Sequence, residues 1–241
     1  MTLCRACYVL NTVLYHSILS STLFIIHRDC SVHADEEVGG MQLPFSLTAC
    51  LQSAFTAANC GTCAYPFLTI AAGNMLRAVG TPAQHQRYLL PMIEGEVFGT
   101  MNLSETQAGS SLGDITTKAV RKKDGSYSIS GQKMWISGGD HDLSDNIFHM
   151  VLAKIRPENA DEAEEAGVKG ISLFIVPKFR LPHQEGAGKR NGVALTGLNH
   201  KMGMFVCLYH NINYVSCIYF DFTLSIIIHI YYFHTALRAI P

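Results

Sequence analysis

The chain has 241 residues, a formal net charge of −1, 48% hydrophobic residues and 15% charged ones. That length holds one large domain or two small ones. The near-zero charge argues against a nucleic-acid or anionic-surface partner, and the charged fraction lies below the roughly 25% usual for soluble domains.

The shortage of charge is local. Residues 1–34 carry only Arg5, Arg28 and Asp29, and residues 205–241 carry only Asp221 and Arg238. The opening segment is no clean targeting signal. Arg5 is a weak basic start, and Asn11, His16 and several serines break the apolar run. From Val38 the pattern becomes that of an ordinary soluble enzyme. Pro44 suits a first helical turn, and Leu47, Leu51, Ala54, Phe55 and Ala58 recur at helical spacing up to a stop at Asn59-Cys60-Gly61. Pro66 opens a second helix with Leu68, Ala71, Ala72, Met75, Leu76 and Val79 on its apolar side, closed by Gly80. Thr81 caps a third helix that starts with Pro82 and runs to about Ile93.

After Gly95 the pattern turns to strands. Val97 to Leu103 is an apolar run, and Thr117 to Lys122 alternates. Lys123-Asp124-Gly125-Ser126 reads as a hairpin turn, from which Tyr127 to Lys133 returns and continues through Trp135-Ile136. Ile147 to Ile155 and Ile171 to Val176 are further strands. The acid-rich stretch between them, Arg156 to Gly170, is a solvated loop. Short strands joined by such loops predict a barrel or sandwich.

The final segment, Phe205 to Pro241, is rich in Ile, Tyr, Phe and His, with no clear period and no caps. Phe222 to Leu237 lacks Asp, Glu, Lys and Arg, so a membrane span is one reading. A span wants about 20 apolar residues, and this run is shorter and holds His229 and His234.

Cysteines occupy positions 4, 7, 30, 50, 60, 63, 207 and 217. The pairs Cys4/Cys7 and Cys60/Cys63 lie too far apart for a zinc ribbon, so no metal site is expected. Without a disulfide framework, a reducing compartment, cytoplasm or mitochondrion, is the expected setting. Gly186-Ala187-Gly188-Lys189-Arg190 lacks the first glycine and the final Ser/Thr of a phosphate loop, and reads as a surface loop. Asp140-His141-Asp142 reads as a polar turn in preference to a dyad or ligand set.

Two stretches carry a resemblance. Leu103-Ser104-Glu105-Thr106-Gln107-Ala108-Gly109-Ser110-Ser111 is followed by Gly131-Gln132-Lys133-Met134-Trp135-Ile136-Ser137, with Trp135 31 residues after Ser104. The pair resembles the flavin-binding core of the acyl-CoA dehydrogenases, with Thr106 in place of a proline and Ser111 in place of an aspartate. Gly80 to Glu96 resembles the family's N-terminal helical domain. Ile136 to Leu143, Gly170 to Phe179, Arg190 to Val193 and His200 to Gly203 resemble its 3-methylmercaptopropionyl-CoA dehydrogenase-like branch. The resemblance implies an α+β chain. Residues 1–37 and 205–241 stand outside the family pattern. Residues 38–95 form part of an α-helical domain, and residues 96–204 form an antiparallel β-barrel middle domain. The loss of pattern at Phe205 favours a tail foreign to the fold, such as a mis-spliced exon end, over a membrane anchor.

The resemblance further implies FAD as cofactor and an acyl-CoA thioester as substrate. An electron acceptor such as an electron-transfer flavoprotein and a homo-oligomeric state when complete are also implied. Its flavin-facing residues would be Met101, Asn102, Leu103, Ser104, Gly109, Ser110, Trp135, Ile136 and Ser137, with Ser110 also meeting the substrate. Glu105 is not expected to be the catalytic base. In the family that base comes from a C-terminal helical bundle, which has no counterpart after Met204. The chain by itself is therefore expected to hold FAD weakly or not at all, and not to turn over. A non-catalytic acyl-CoA or flavin-binding fragment, and a membrane-anchored protein using residues 205–241, are the alternative readings.

Overall fold

The computed structural model describes residues 31–32, 34–58, 60–156, 167–182, 187–199, 209–219 and 222–223. Three helices come first: α1 (Phe45–Ala58), α2 (Cys60–Val79) and α3, built from Pro82–Gln84, a π-turn His85–Leu89 and Leu90–Ile93. The start of α3 is fixed by a capping box. Gln84 N–H donates to Thr81 Oγ1 at 3.3 Å, and Thr81 N–H donates to Gln84 Oε1 at 2.9 Å. The π-turn lies just ahead of Pro91, which has no N–H to continue the α ladder.

The second helix begins earlier than the sequence predicts. Cys60-Gly61 opens α2 instead of ending α1, and Pro66 lies inside it. An internal proline costs about 3 kcal/mol. Burial of Tyr65, Thr69, Ala72 and Leu76 on one face of α2 offsets that cost.

Among the described residues eight strands follow: β1 (Val97–Asn102), β2 (Lys118–Arg121), β3 (Tyr127–Ser137), β4 (Asn146–Arg156), β5 (Ile171–Pro177), β6 (Val193–Asn199), β7 (Tyr209–Tyr219) and β8 (Phe222–Thr223). They form one sheet in the order β6-β7-β3-β2-β4-β5-β8, with β1 also paired to β4. The antiparallel barrel expected from the sequence is corrected here to an open, mixed sheet. Both β1 and β2 run parallel to β4, at the registers Val97↔Asn146 to Asn102↔Val151 and Lys118↔Lys154 to Val120↔Arg156. The reason is the connection between them. Residues 103–117 leave one edge of β4 and rejoin the same edge further along, so direction is kept rather than reversed. The Asp-Gly hairpin is found as expected, with β2 and β3 antiparallel from Arg121↔Tyr127 to Lys118↔Ser130.

The sheet also extends past the boundary expected at Phe205. Tyr209–Tyr219 pairs with both β3 and β6, and Phe222–Thr223 pairs with β5. The β-branched and aromatic residues that read as a formless apolar run are the composition of strands. Most of the candidate membrane segment and of the acidic loop lies outside the described residues. Among the described residues no helix is long and apolar enough to cross a membrane.

The core lies between α2–α3 and the central strands. All seven residues of β5 are buried, and Phe148, Met150 and Leu152 of β4 join them. The ring of Tyr88 meets that of Phe148 edge-on at 5.3 Å. Helix α2 approaches the sheet closely at Gly99. A Cβ there would lie 2.8 Å from Ala72 Cβ, and Thr69 Oγ1 accepts from Gly99 N–H at 3.0 Å.

Candidate functional site

The break between β1 and β2 along β4 is where the site is built. Loop 103–117 fills it, and the second half of β3 runs beside that loop. Met134 N–H donates to Ser104 O at 3.0 Å, so the serine loop and the tryptophan strand are joined main chain to main chain. One residue further on, β3 carries a bulge between Lys133 and Ile136 in its pairing with β7. Trp135 sits in that bulge with φ +62°, a backbone region that bulky residues rarely adopt. The residue is 44% exposed, although Lys133 two positions before it and Ile136 after it are buried.

Glu105 holds the loop in place. The residue is buried, and its carboxylate accepts from six donors. Thr117 N–H (3.0 Å), Thr117 Oγ1 (2.6 Å) and Lys133 Nζ (2.9 Å) reach Oε1. Thr116 N–H (2.7 Å), Thr116 Oγ1 (2.7 Å) and Gln107 Nε2 (2.8 Å) reach Oε2. Burial alone would raise its pKa, but the hydrogen bonds from Thr117, Thr116 and Lys133 outweigh it and hold the value down at about 2. Burial pushes the Lys133 ammonium below the usual lysine range, against the pull of Glu105. Lys133 Nζ also donates to Leu103 O at 3.0 Å. The loop tip is closed by reciprocal bonds between the main chains of Glu105 and Ala108, at 2.7 and 3.2 Å. Gly131 makes room for this arrangement, since a Cβ there would lie 2.4 Å from Thr117 Oγ1.

The expected flavin-facing residues divide by orientation. Trp135, Gly109 and Ser110 are exposed, and Met101, Leu103, Ser104 and Ser137 are half-buried. A Cβ at Gly109 would meet open space. Ile136 points into the core, so only its main chain is available. The Asn102 side chain is also turned inward, where its Oδ1 accepts from Thr100 Oγ1 at 2.7 Å. Thr100 Oγ1 lies 2.8 Å from His149 Nδ1. His149 is fully buried, and burial drives its pKa down to about 3, with Asp140 pulling weakly the other way.

Two features carried no role in the sequence reading. One is Lys133, whose only signal was its place in the Gly-x-Lys-x-Trp spacing. The other is an ion cluster behind the far end of the tryptophan strand. Lys178, itself buried, reaches Asp140 Oδ1 at 2.9 Å, Asp142 Oδ1 at 3.2 Å and His141 O at 2.6 Å. Arg190 pairs with Asp140 Oδ2. Asp140-His141-Asp142 is thus a turn fastened by cations, and among the described residues no His/Cys/Asp/Glu group could hold a metal ion. The His141 ring meets Tyr65 and Phe98 edge-on at 5.2 and 5.0 Å, tying this turn to α2 and β1.

The acyl-CoA dehydrogenase N-terminal domain model matches residues 30–96, and the acyl-CoA dehydrogenase middle domain model matches residues 100–212. The chain belongs to the acyl-CoA dehydrogenase family. It is 42% identical over 168 residues to a 3-methylmercaptopropionyl-CoA dehydrogenase of Ruegeria pomeroyi, a match covering 70% of this chain. It is 41% identical over 183 residues to the broad-specificity linear acyl-CoA dehydrogenase FadE5 of Mycobacterium tuberculosis, covering 73% of this chain. In both cases the match spans 28% of the relative's length. The fold is similar, with a TM-score of 0.65 at 20% identity, to an acyl-CoA dehydrogenase from Bacillus anthracis solved in complex with FAD. That match covers 86% of this chain and 32% of the other.

Proposed function

We propose that these residues are the flavin-holding part of an FAD-dependent acyl-CoA dehydrogenase, which removes hydrogen across the carbon–carbon bond next to a thioester. The observation that carries the reading is the Met134–Ser104 bond at 3.0 Å, which sets the serine loop against the Trp135 bulge. The residues present fit a flavin. The N–H and hydroxyl of Ser104 have no protein acceptor among the described residues. Trp135 offers an exposed aromatic face, and Gly109 leaves its backbone open. When bound, FAD supplies the acceptor for the hydride. The chain's own residues bind and orient. Ser104 donates to the polar edge of the ring, Trp135 and the main chain of Ile136 and Ser137 cover its face, and Ser110 meets the thioester arm of the acyl-CoA.

Glu105 takes no part in proton abstraction. Its carboxylate is already filled by six donors, and a group of pKa about 2 is a weak base. We assign the base to a segment outside the described residues. For the whole protein we likewise propose an electron-transfer flavoprotein as acceptor and a homo-oligomeric state. Equilibrium dialysis against FAD tests the reading. The chain is expected to take up FAD weakly, Ser104→Ala and Trp135→Ala are expected to reduce uptake, and acyl-CoA-dependent dye reduction is expected to be nil. Uptake indifferent to both substitutions, or robust turnover by this chain, would contradict it.

A further inference from the structure

Lys133 is an unusual residue to find fully buried, since an ammonium in a protein interior is costly unless every proton is used. Glu105 neutralises it, but the pair does more than cancel charge. The same ammonium donates to Leu103 O at 3.0 Å, and Leu103 O belongs to the peptide whose N–H is that of Ser104. A cation on the carbonyl end of a peptide polarises the whole amide and strengthens its N–H as a donor. The next carbonyl, Ser104 O, is held by Met134 N–H. Both carbonyls flanking the Ser104 N–H are therefore pinned to β3. The N–H itself has no acceptor among the described residues, and it lies on the loop that adjoins the Trp135 bulge. Burial keeps water from screening the ammonium.

We propose that Lys133 is a positioning residue for the flavin, acting through the Leu103–Ser104 peptide, which it fixes in orientation and polarises toward an electron-rich ring edge. Glu105 is the counter-ion that makes a permanent cation tolerable at this spot. The proposal rests on the flavin reading given above and adds to it a residue that touches no ligand. It differs from a purely structural role in one respect. If Lys133 only glued loop to strand, any substitution pattern that restores the glue would restore FAD binding.

The test uses the full 241-residue chain, with FAD affinity from equilibrium dialysis and thermal unfolding followed by circular dichroism. Lys133→Met is expected to lower both, since it strands the Glu105 charge. Glu105→Gln together with Lys133→Met removes both charges and is expected to regain part of the lost melting temperature. Its FAD affinity is expected to stay about tenfold below that of the unmodified chain, because the Leu103–Ser104 peptide is then neither held nor polarised by a cation. Lys133→Arg keeps the charge and is expected to bind FAD within about threefold of the unmodified chain. A folded double variant with full FAD affinity would overturn the proposal. So would a folded arginine variant that binds as poorly as the methionine one. Should the uncharged variants fail to fold, the arginine variant decides alone. No FAD binding by the unmodified chain would overturn the flavin reading itself, and this proposal with it.

Discussion

Trp135 is the residue on which the site turns. A β-strand that continued regularly would put Lys133 and Trp135 on one face, so the burial of Lys133 would carry the aromatic ring inward with it. The bulge turns the ring outward by admitting one residue with φ +62°. Holding a bulky residue there costs of order 1–3 kcal/mol. Trp135→Gly is therefore expected to keep or raise the melting temperature while abolishing FAD uptake, a split that calorimetry and dialysis together would read. Glu105 behaves in the opposite way, as a structural group. Glu105→Gln leaves Lys133 buried without an anion, at an expected cost of about 3–5 kcal/mol in denaturant unfolding.

Acid sensitivity belongs to the same scale. His149 titrates near 6.5 when unfolded and at about 3 when folded, so the unfolded chain takes up the proton first. Stability is full above pH 6.5 and falls as pH drops from there toward 3. Glu105 adds a second loss, between its ordinary value of 4.5 and about 2. Replacing His149 by Gln is expected to flatten the pH dependence between 6.5 and 4.5 while lowering stability overall; pH-resolved unfolding curves would check it. Of these residues, Trp135 and Ser104 stood out in the sequence by their spacing, and the structure joins their segments through the Met134–Ser104 bond; Glu105, not expected to be the base, is a buried carboxylate filled by six donors. Lys133 and His149 were not legible. A lysine and a histidine within strand patterns look like solvent-facing positions until the partners that fill them are seen.

At the scale of elements, local chemistry was legible and direction was not. Thr81-Pro82 announced a capped helix, and Asp124-Gly125 announced a hairpin; both are present. Pro66 misled, because burial of one face of α2 carries the helix through it. The parallel pairing of β1 and β2 with β4 could not be read, since strand composition says nothing about which neighbour a strand will choose. The final segment misled for a related reason: its strand β7 pairs not only with the preceding β6 but also with β3, far back in the chain. The docking of α2 on β1 gives this scale its prediction. Gly99→Val puts a branched side chain where even a Cβ would lie 2.8 Å from Ala72 Cβ. It is expected to destabilise by about 1–3 kcal/mol, measured by chemical denaturation.

For the whole molecule, the parts form a sequence of supports. The Lys178–Asp140–Arg190 cluster and the Tyr65–His141–Phe98 rings fasten the end of the tryptophan strand to β5 and α2. The Glu105–Lys133 pair fastens its middle to the serine loop. Lys133, Glu105 and Lys178 are buried while Arg190 is exposed, and the face these contacts leave outside includes Ser104, Gly109 and Trp135. The chain spans 28% of the length of the first two relatives it matches.

Trp135 is the chain's single tryptophan, which makes its fluorescence a direct reporter of that face. Titrating the folded chain with FAD while following tryptophan emission asks whether the ring of the flavin comes to rest there. The account predicts saturable quenching that Ser104→Ala weakens. Emission unchanged at saturating FAD, in a chain whose circular dichroism is that of the folded state, would contradict it.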